Sequence, residues 1–173
     1  QEKLSKYEKQ YQSLEMRYAS LKEKYTDIED YSSWQEDTIP ANKITLVNNG
    51  THAGPKTPLV LQTIRYLAQN AENVTIQTPY VICNGYMYDT LNEIASHAQL
   101  KIILNAVEKG SNPWGCTDYL NQKKKILNTG ADVYELMNEV PVHTKAVLLD
   151  ERLSIVGSYN LDMRSTYLDT ELM

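Results

Sequence analysis

From Gln1 to about Asp30, the apolar positions Leu4, Tyr7, Tyr11, Leu14, Tyr18, Leu21, Tyr25 and Ile28 recur at alternating intervals of three and four. That spacing predicts one helix carrying an apolar seam, with Lys and Glu on its other faces. No Gly or Pro interrupts it. Half of the seam is Tyr, and a buried phenol needs a partner for its hydroxyl. The favoured reading is docking on another surface of the same protein or on a second copy, ahead of a true coiled coil or a frayed linker. Mixed charges make lipid binding by this helix a poor fit.

Beyond it, Tyr31–Ile39 is polar and ends at Pro40, as a connector does. Lys43–Val47 reads as a short strand, and Asn48-Asn49-Gly50 is turn chemistry. Thr57 then reads as an N-cap with Pro58 at the first helical position, opening a helix to about Asn70. Leu59, Leu61, Ile64 and Leu67 are its core candidates. A strand over Val74–Gln77 ends at Pro79-Tyr80; a helix over Tyr88–Ala98 and a strand over Leu100–Leu104 follow. Pro113 to about Asn128 is a helix closed by Gly130, and Ala131–Leu136 is a strand. The runs Ala146–Leu149 and Leu153–Val156 flank a polar break, Asp150–Arg152, which predicts two strands joined by a tight turn.

This alternation predicts an α/β fold: a mostly parallel, mixed sheet with helices packed on both faces. The domain reading is helix and connector over 1–37 and an α/β unit over 38–173, truncated at its C-terminus. In such sheets ligands gather at the carboxyl ends of strands, where Thr78-Pro79-Tyr80 and Asn105-Ala106 fall.

Composition narrows the function classes. Within 173 residues, no apolar run approaches the ~20 that a membrane span needs. Cys83 and Cys116 make neither a disulfide framework nor a metal cluster, and read as free thiols in a reducing compartment. A formal charge of −5 gives no global attraction to nucleic acid or anionic lipid. The run Lys123-Lys124-Lys125 reads as the wet face of a helix.

Candidate chemistry collects around the hairpin. His143 and Lys145 lie two apart entering the first strand, so they point the same way. Gly157 ends the second strand with the residue type that allows close backbone approach, and Asn160 adds an amide that donates and accepts. A proton-passing group, a fixed positive charge and a neutral donor together make an oxyanion site. His52 and His97 have no Lys two residues on. His52 lies in a loop, Asn48–Gly54, that borders the pocket on one reading.

His143-Thr144-Lys145, four residues, Asp150, six residues, and Gly157-Ser158-Tyr159-Asn160 resemble the H-K-D motif of the phospholipase D superfamily. The continuation Asn160-Leu161-Asp162-Met163-Arg164-Ser165, then Leu168-Asp169-Thr170-Glu171, is similar to bacterial cardiolipin synthases and related two-motif enzymes. The resemblance spans roughly Asn42 to Met173.

The resemblance implies phosphodiester hydrolysis or phosphatidyl transfer on phospholipids through a phosphohistidine. It makes His143, Lys145, Asn160 and Glu171 the catalytic set, with Glu171 orienting the imidazole. Ser158 and Tyr80 contact substrate. Gly157 and Asp150 are structural, Asp150 through turn hydrogen bonds or a salt bridge; Arg164 pairs with acids after Asn160 or lies free at the surface. Two motif copies must face each other. The tail resembles the second copy, whose histidine is general acid and base, so the first is expected earlier in a longer parent chain or, failing that, in a homodimer partner. No metal or other cofactor is implied. The parent is expected at the membrane on the cytoplasmic side, this piece being soluble. The alternatives are a phospholipase D-like nuclease working as a homodimer, which the acidic balance disfavours, and a non-catalytic interaction domain.

Overall fold

The computed structural model describes residues 2–27, 30–32, 36, 38–110 and 112–173, with the backbone alone at 2–4 and 113. Two compact units divide at Ile44/Thr45. The first contains helix α1 (Glu2–Lys24), with Lys22 and Lys24 in its last turn, where cations suit the dipole. The pattern pointed to about Asp30, but Thr26 and Asp27 form a turn instead, as residues whose side chains compete for the backbone do. Ile28, the last seam position, lies outside the described residues, as do several positions of the connector.

The second unit runs α2 (Leu59–Ala68), β1 (Asn73–Gln77), β2 (Val81–Ile82), α3 (Gly85–Ala95), β3 (Gln99–Asn105), α4 (Pro113–Leu127), β4 (Asp132–Leu136), β5 (Ala146–Leu149), β6 (Leu153–Val156), β7 (Leu161–Asp162) and α5 (Met163–Tyr167). It is an α/β fold around a mixed five-stranded sheet ordered β4-β3-β1-β5-β6. The pairs β1–β3 and β3–β4 are parallel; β1–β5 and the hairpin β5–β6 are antiparallel. β2 and β7 form a separate two-stranded parallel pair.

Alternation along each strand sets one dry face. Val74 and Ile76, Leu100 and Ile102, and Val147 and Leu149 are in register across it, and all are buried. Val60, Leu61 and Ile64 of α2 and Met87, Leu91 and Ile94 of α3 join them in one cluster. Burying each such Leu or Ile is worth about 1.5–3 kcal/mol. The expected helical cover is found on this face. On the other, Leu148, Tyr134 and Val156 are exposed among half-buried Thr75, Gln77 and Lys101.

Several boundaries moved for local reasons. Asn84 caps α3 by accepting from Met87 N, so that helix begins at Gly85 rather than Tyr88. Thr57 does not cap α2; the amide of buried Asn49 accepts from Val60 N, reaching in from another loop. The strand expected over Lys43–Val47 is absent. Pairing instead starts at Val47, which exchanges backbone bonds with Met173, and continues at Asn49, whose N–H donates to Glu171 O. Gly130, at φ +87°, closes the turn after α4 as its position predicted.

Candidate active site at the carboxyl ends of the strands

Ala146, the first residue of β5, pairs on one side with Gln77, the last of β1, and on the other with Val156, the last of β6. The residues just before β5 and just after β6 are thereby brought to the carboxyl end of β1. Two clamps fix them. The Asn105 amide, at the end of β3, donates to Val142 O and accepts from Val142 N, both at 2.8 Å. At the far end of the hairpin, Asp150 Oδ1 accepts from Glu72 N and Asn73 N at 2.9 and 2.8 Å. Those bonds, that from Asn73 foremost, hold its carboxyl below the usual range. Asp150 and Glu151 both adopt positive φ to make the turn, and Arg152 lies 3.7 Å from the Asp150 carboxylate.

His143 stands exposed and Lys145 is buried. The Lys145 ammonium donates to His143 O at 2.7 Å and lies 2.8 Å from His143 Nδ1. The same ammonium lies 3.4 Å from Nε2, so it faces both ring nitrogens. Tyr80 meets the imidazole edge-on, ring centroids 6.4 Å apart. Gly115 lets α4 lie close behind Tyr80: a Cβ there would come within 3.0 Å of the Tyr80 ring.

Burial lowers the Lys145 pKa below that of an ordinary lysine, while the Glu171 and Asp162 carboxylates oppose that shift. Asp162, itself held up by burial, caps α5 through Ser165 N at 2.7 Å. Sequence reasoning named Glu171 but not Asp162; its position, leading a short helix within the motif's continuation, was the available signal.

Glu171 is buried, and its carboxylate accepts from Ser158 Oγ. That hydroxyl also accepts from Leu172 N at 3.0 Å, and Ser158 N donates to Leu172 O at 2.9 Å. Ser158, expected at substrate, therefore has its one O–H donor committed to Glu171, and Glu171, expected on the imidazole, meets Ser158. Gly157 permits this arrangement, since a Cβ there would collide with the Leu172 carbonyl.

Asn160 Nδ2 donates to Ser165 Oγ at 3.3 Å, and its buried Oδ1 has no partner among the described residues. A hydroxyl both donates and accepts, so Ser165 can serve either end of that amide. Thr78, at the end of β1, ties the neighbourhood together by donating to Tyr80 O and accepting from Leu161 N. His52 and His97 contact the carbonyls of Pro55 and Ala68. Lys123 pairs with Glu135, and Arg164 with Asp169. Both cysteines are free and buried, and burial pushes the Cys83 thiol up to about 12. No cluster of metal-ligating side chains is found among the described residues.

The chain has relatives among known proteins. Cardiolipin synthase A of Yersinia pseudotuberculosis and that of Yersinia pestis are each 31% identical over 117 residues, covering 65% of this chain and 22% of theirs. The chain thus spans about a fifth of the length of these curated relatives. In fold it is similar to Nuc of Salmonella typhimurium, a phospholipase D family member (TM-score 0.55, 14% identity, 74% of this chain and 79% of that one). Phosphatidylserine synthase of Haemophilus influenzae is also similar (TM-score 0.54, 18% identity, 78% of this chain and 35% of that one). The family described as cardiolipin synthase, PLD-like domain, matches residues 63–173, which contain the whole hairpin and both of its clamps. The chain belongs to that cardiolipin-synthase-like family of the phospholipase D superfamily.

Proposed function

We propose that this chain supplies one half of a two-motif site that moves phosphatidyl groups, or hydrolyses them, on phospholipids at a membrane surface on the cytoplasmic side. The observation that carries this reading is the exposed imidazole of His143 with a buried ammonium 2.8 Å from Nδ1, within a family motif. A phosphodiester arriving there competes with Nδ1 for the ammonium. Lys145 turns to a non-bridging oxygen and stabilises charge that grows in the transition state. Asn160 turns its amide over, keeping Ser165 as partner and offering Nδ2 to the same oxygens. Glu171 acts through Ser158 and through the Lys145 charge.

The histidine of the other half, in the same parent chain or in a second copy, attacks phosphorus. A P–N bond forms as the bond to the leaving alkoxide breaks, and His143 gives that alkoxide its proton. His143 then takes a proton from the incoming alcohol or water. The oxygen of that nucleophile displaces the phosphohistidine and restores the imidazole. Each such proton transfer is worth roughly 10²–10⁴ in rate.

The test is a transfer assay with the full gene product on glycerophospholipid vesicles plus an acceptor alcohol, run beside single-stranded DNA. Phosphatidyl-alcohol formation that falls by at least ~10² in His143→Ala is the expected result. DNA cleavage without lipid transfer would replace the reading with the nuclease one. Transfer unaffected by His143→Ala would end it.

A further inference from the structure

Asn49 lies in the loop before α2, ahead of the residues 63–173 that match the family, and it is fully buried. A buried amide costs free energy unless its ends are bonded. Here both are. Its Oδ1 accepts from Val60 N at 3.1 Å, and its Nδ2 donates to Ser165 O at 2.9 Å. Val60 N only donates and Ser165 O only accepts, so this amide has one allowed orientation.

The bond to Ser165 falls on a carbonyl that its own helix does not use. Leu168 N and Asp169 N, which follow the five-residue α5, both donate to Arg164 O and leave Ser165 O to Asn49 among the described residues. The Ser165 N–H is held in turn by Asp162 Oδ1 at 2.7 Å. Ser165, buried, thus has its backbone fixed at both polar groups, and its Oγ accepts from Asn160 Nδ2 at 3.3 Å. The Asn160 amide differs from that of Asn49. A hydroxyl takes either of its ends, and its buried Oδ1 has no partner among the described residues. Asn49 is pinned and Asn160 is free to turn, with Ser165 between them.

We infer that Asn49 is a positioning residue of the site: through the Ser165 carbonyl it fixes the hydroxyl about which the Asn160 amide turns, a role that rests on the chemistry proposed for Asn160 above. Its backbone N–H, which donates to Glu171 O at 3.0 Å, secures the neighbouring segment independently of the side chain.

Asn49→Asp separates this role from the capping of α2. The carboxylate still accepts from Val60 N, where a negative charge suits a helix start, but it cannot donate to Ser165 O. Asn49→Ser, too short to hold both partners, accompanies it as a variant with no buried charge. In the isotope-labelled 173-residue chain, the Asn160 side-chain NH2 resonances are expected to move in both variants, as in Ser165→Ala. The Val60 amide is expected to stay protected from exchange in Asn49→Asp. In the full gene product, vesicle transfer is expected to lose about tenfold in kcat at unchanged KM, less than the ~10²–10³ of a lost oxyanion donor. Added to Asn160→Ala, Asn49→Asp is expected to cause no further loss of kcat, since no amide remains to be placed. Unmoved Asn160 resonances in a folded variant, or a loss that adds in full to that of Asn160→Ala, would overturn the assignment. Absence of transfer in the wild type would fall on the proposed chemistry, and the Asn160 resonances would still decide for or against Asn49.

Discussion

Lys145 is where the site concentrates its electrostatic cost. Its ammonium is buried, and burial pushes its pKa below the ordinary lysine value, against the pull of Glu171 and Asp162. Between the folded and unfolded pKa values the unfolded chain holds the proton more often than the folded one. Stability therefore rises with pH through that window, and the burial penalty is in full force below the folded pKa. A role on phosphate needs the charged form. Activity is therefore expected to fall on the alkaline side before a free lysine titrates, near 10.4. Lys145→Met should cost about 10²–10³ in rate, as loss of one oxyanion donor does. Lys145→Arg keeps its charge past pH 12 and should move the alkaline limb upward whatever its rate. A pH–rate profile of the full gene product checks this; an alkaline limb that stays in place in the arginine variant refutes the assignment.

Two elements hold the residues proposed to react, and each makes its own prediction. The Asn105 amide exchanges both backbone bonds of Val142, immediately before His143. Asn105→Ala leaves those groups without that partner, at about 1–3 kcal/mol. Chemical denaturation should show that loss, and hydrogen exchange at the Val142 amide should speed up; unchanged exchange would mean that the clamp is dispensable. At the hairpin turn, Asp150 binds the start of β1 as a carboxylate with a depressed pKa. Its contribution is present above the unfolded value near 3.9 and is lost as pH falls through the folded one. Asp150→Asn should be less stable than wild type at pH 7, and the gap should close in acid unfolding curves. A gap of equal size at low pH would assign the loss to geometry rather than charge.

The hairpin, and the placing of Lys145 beside His143, were legible in the sequence because alternation, a polar break and spaced polar residues are local signals. What was missed depends on partners far along the chain. β2 and β7 are two residues each and exist only through their pairing. The edge at Val47–Asn49 is set by the last three residues, and α2 is capped by an asparagine from another loop. Glu171 was found by its position, but its bond to Ser158 follows from how the final segment packs past Gly157. Pattern gives the face of an element and never its distant neighbour.

At the scale of the whole molecule, two jobs fall on two units. Residues 45–173 hold the sheet, the core and every proposed site residue; residues 1–44 hold the exposed seam. Among the described residues, the core cluster draws no member from before Val47. A chain beginning at Thr45 should therefore fold alone. Its thermal midpoint should match that of the corresponding transition in the 173-residue chain, and the bond network from Asn105 to Glu171 should be intact by hydrogen exchange. Its mass should be that of a monomer. A shortened chain that fails to fold would show that α1 or the connector stabilises the sheet. One that folds yet still dimerises would place self-association on the site-bearing unit, bringing two copies of His143 into one assembly.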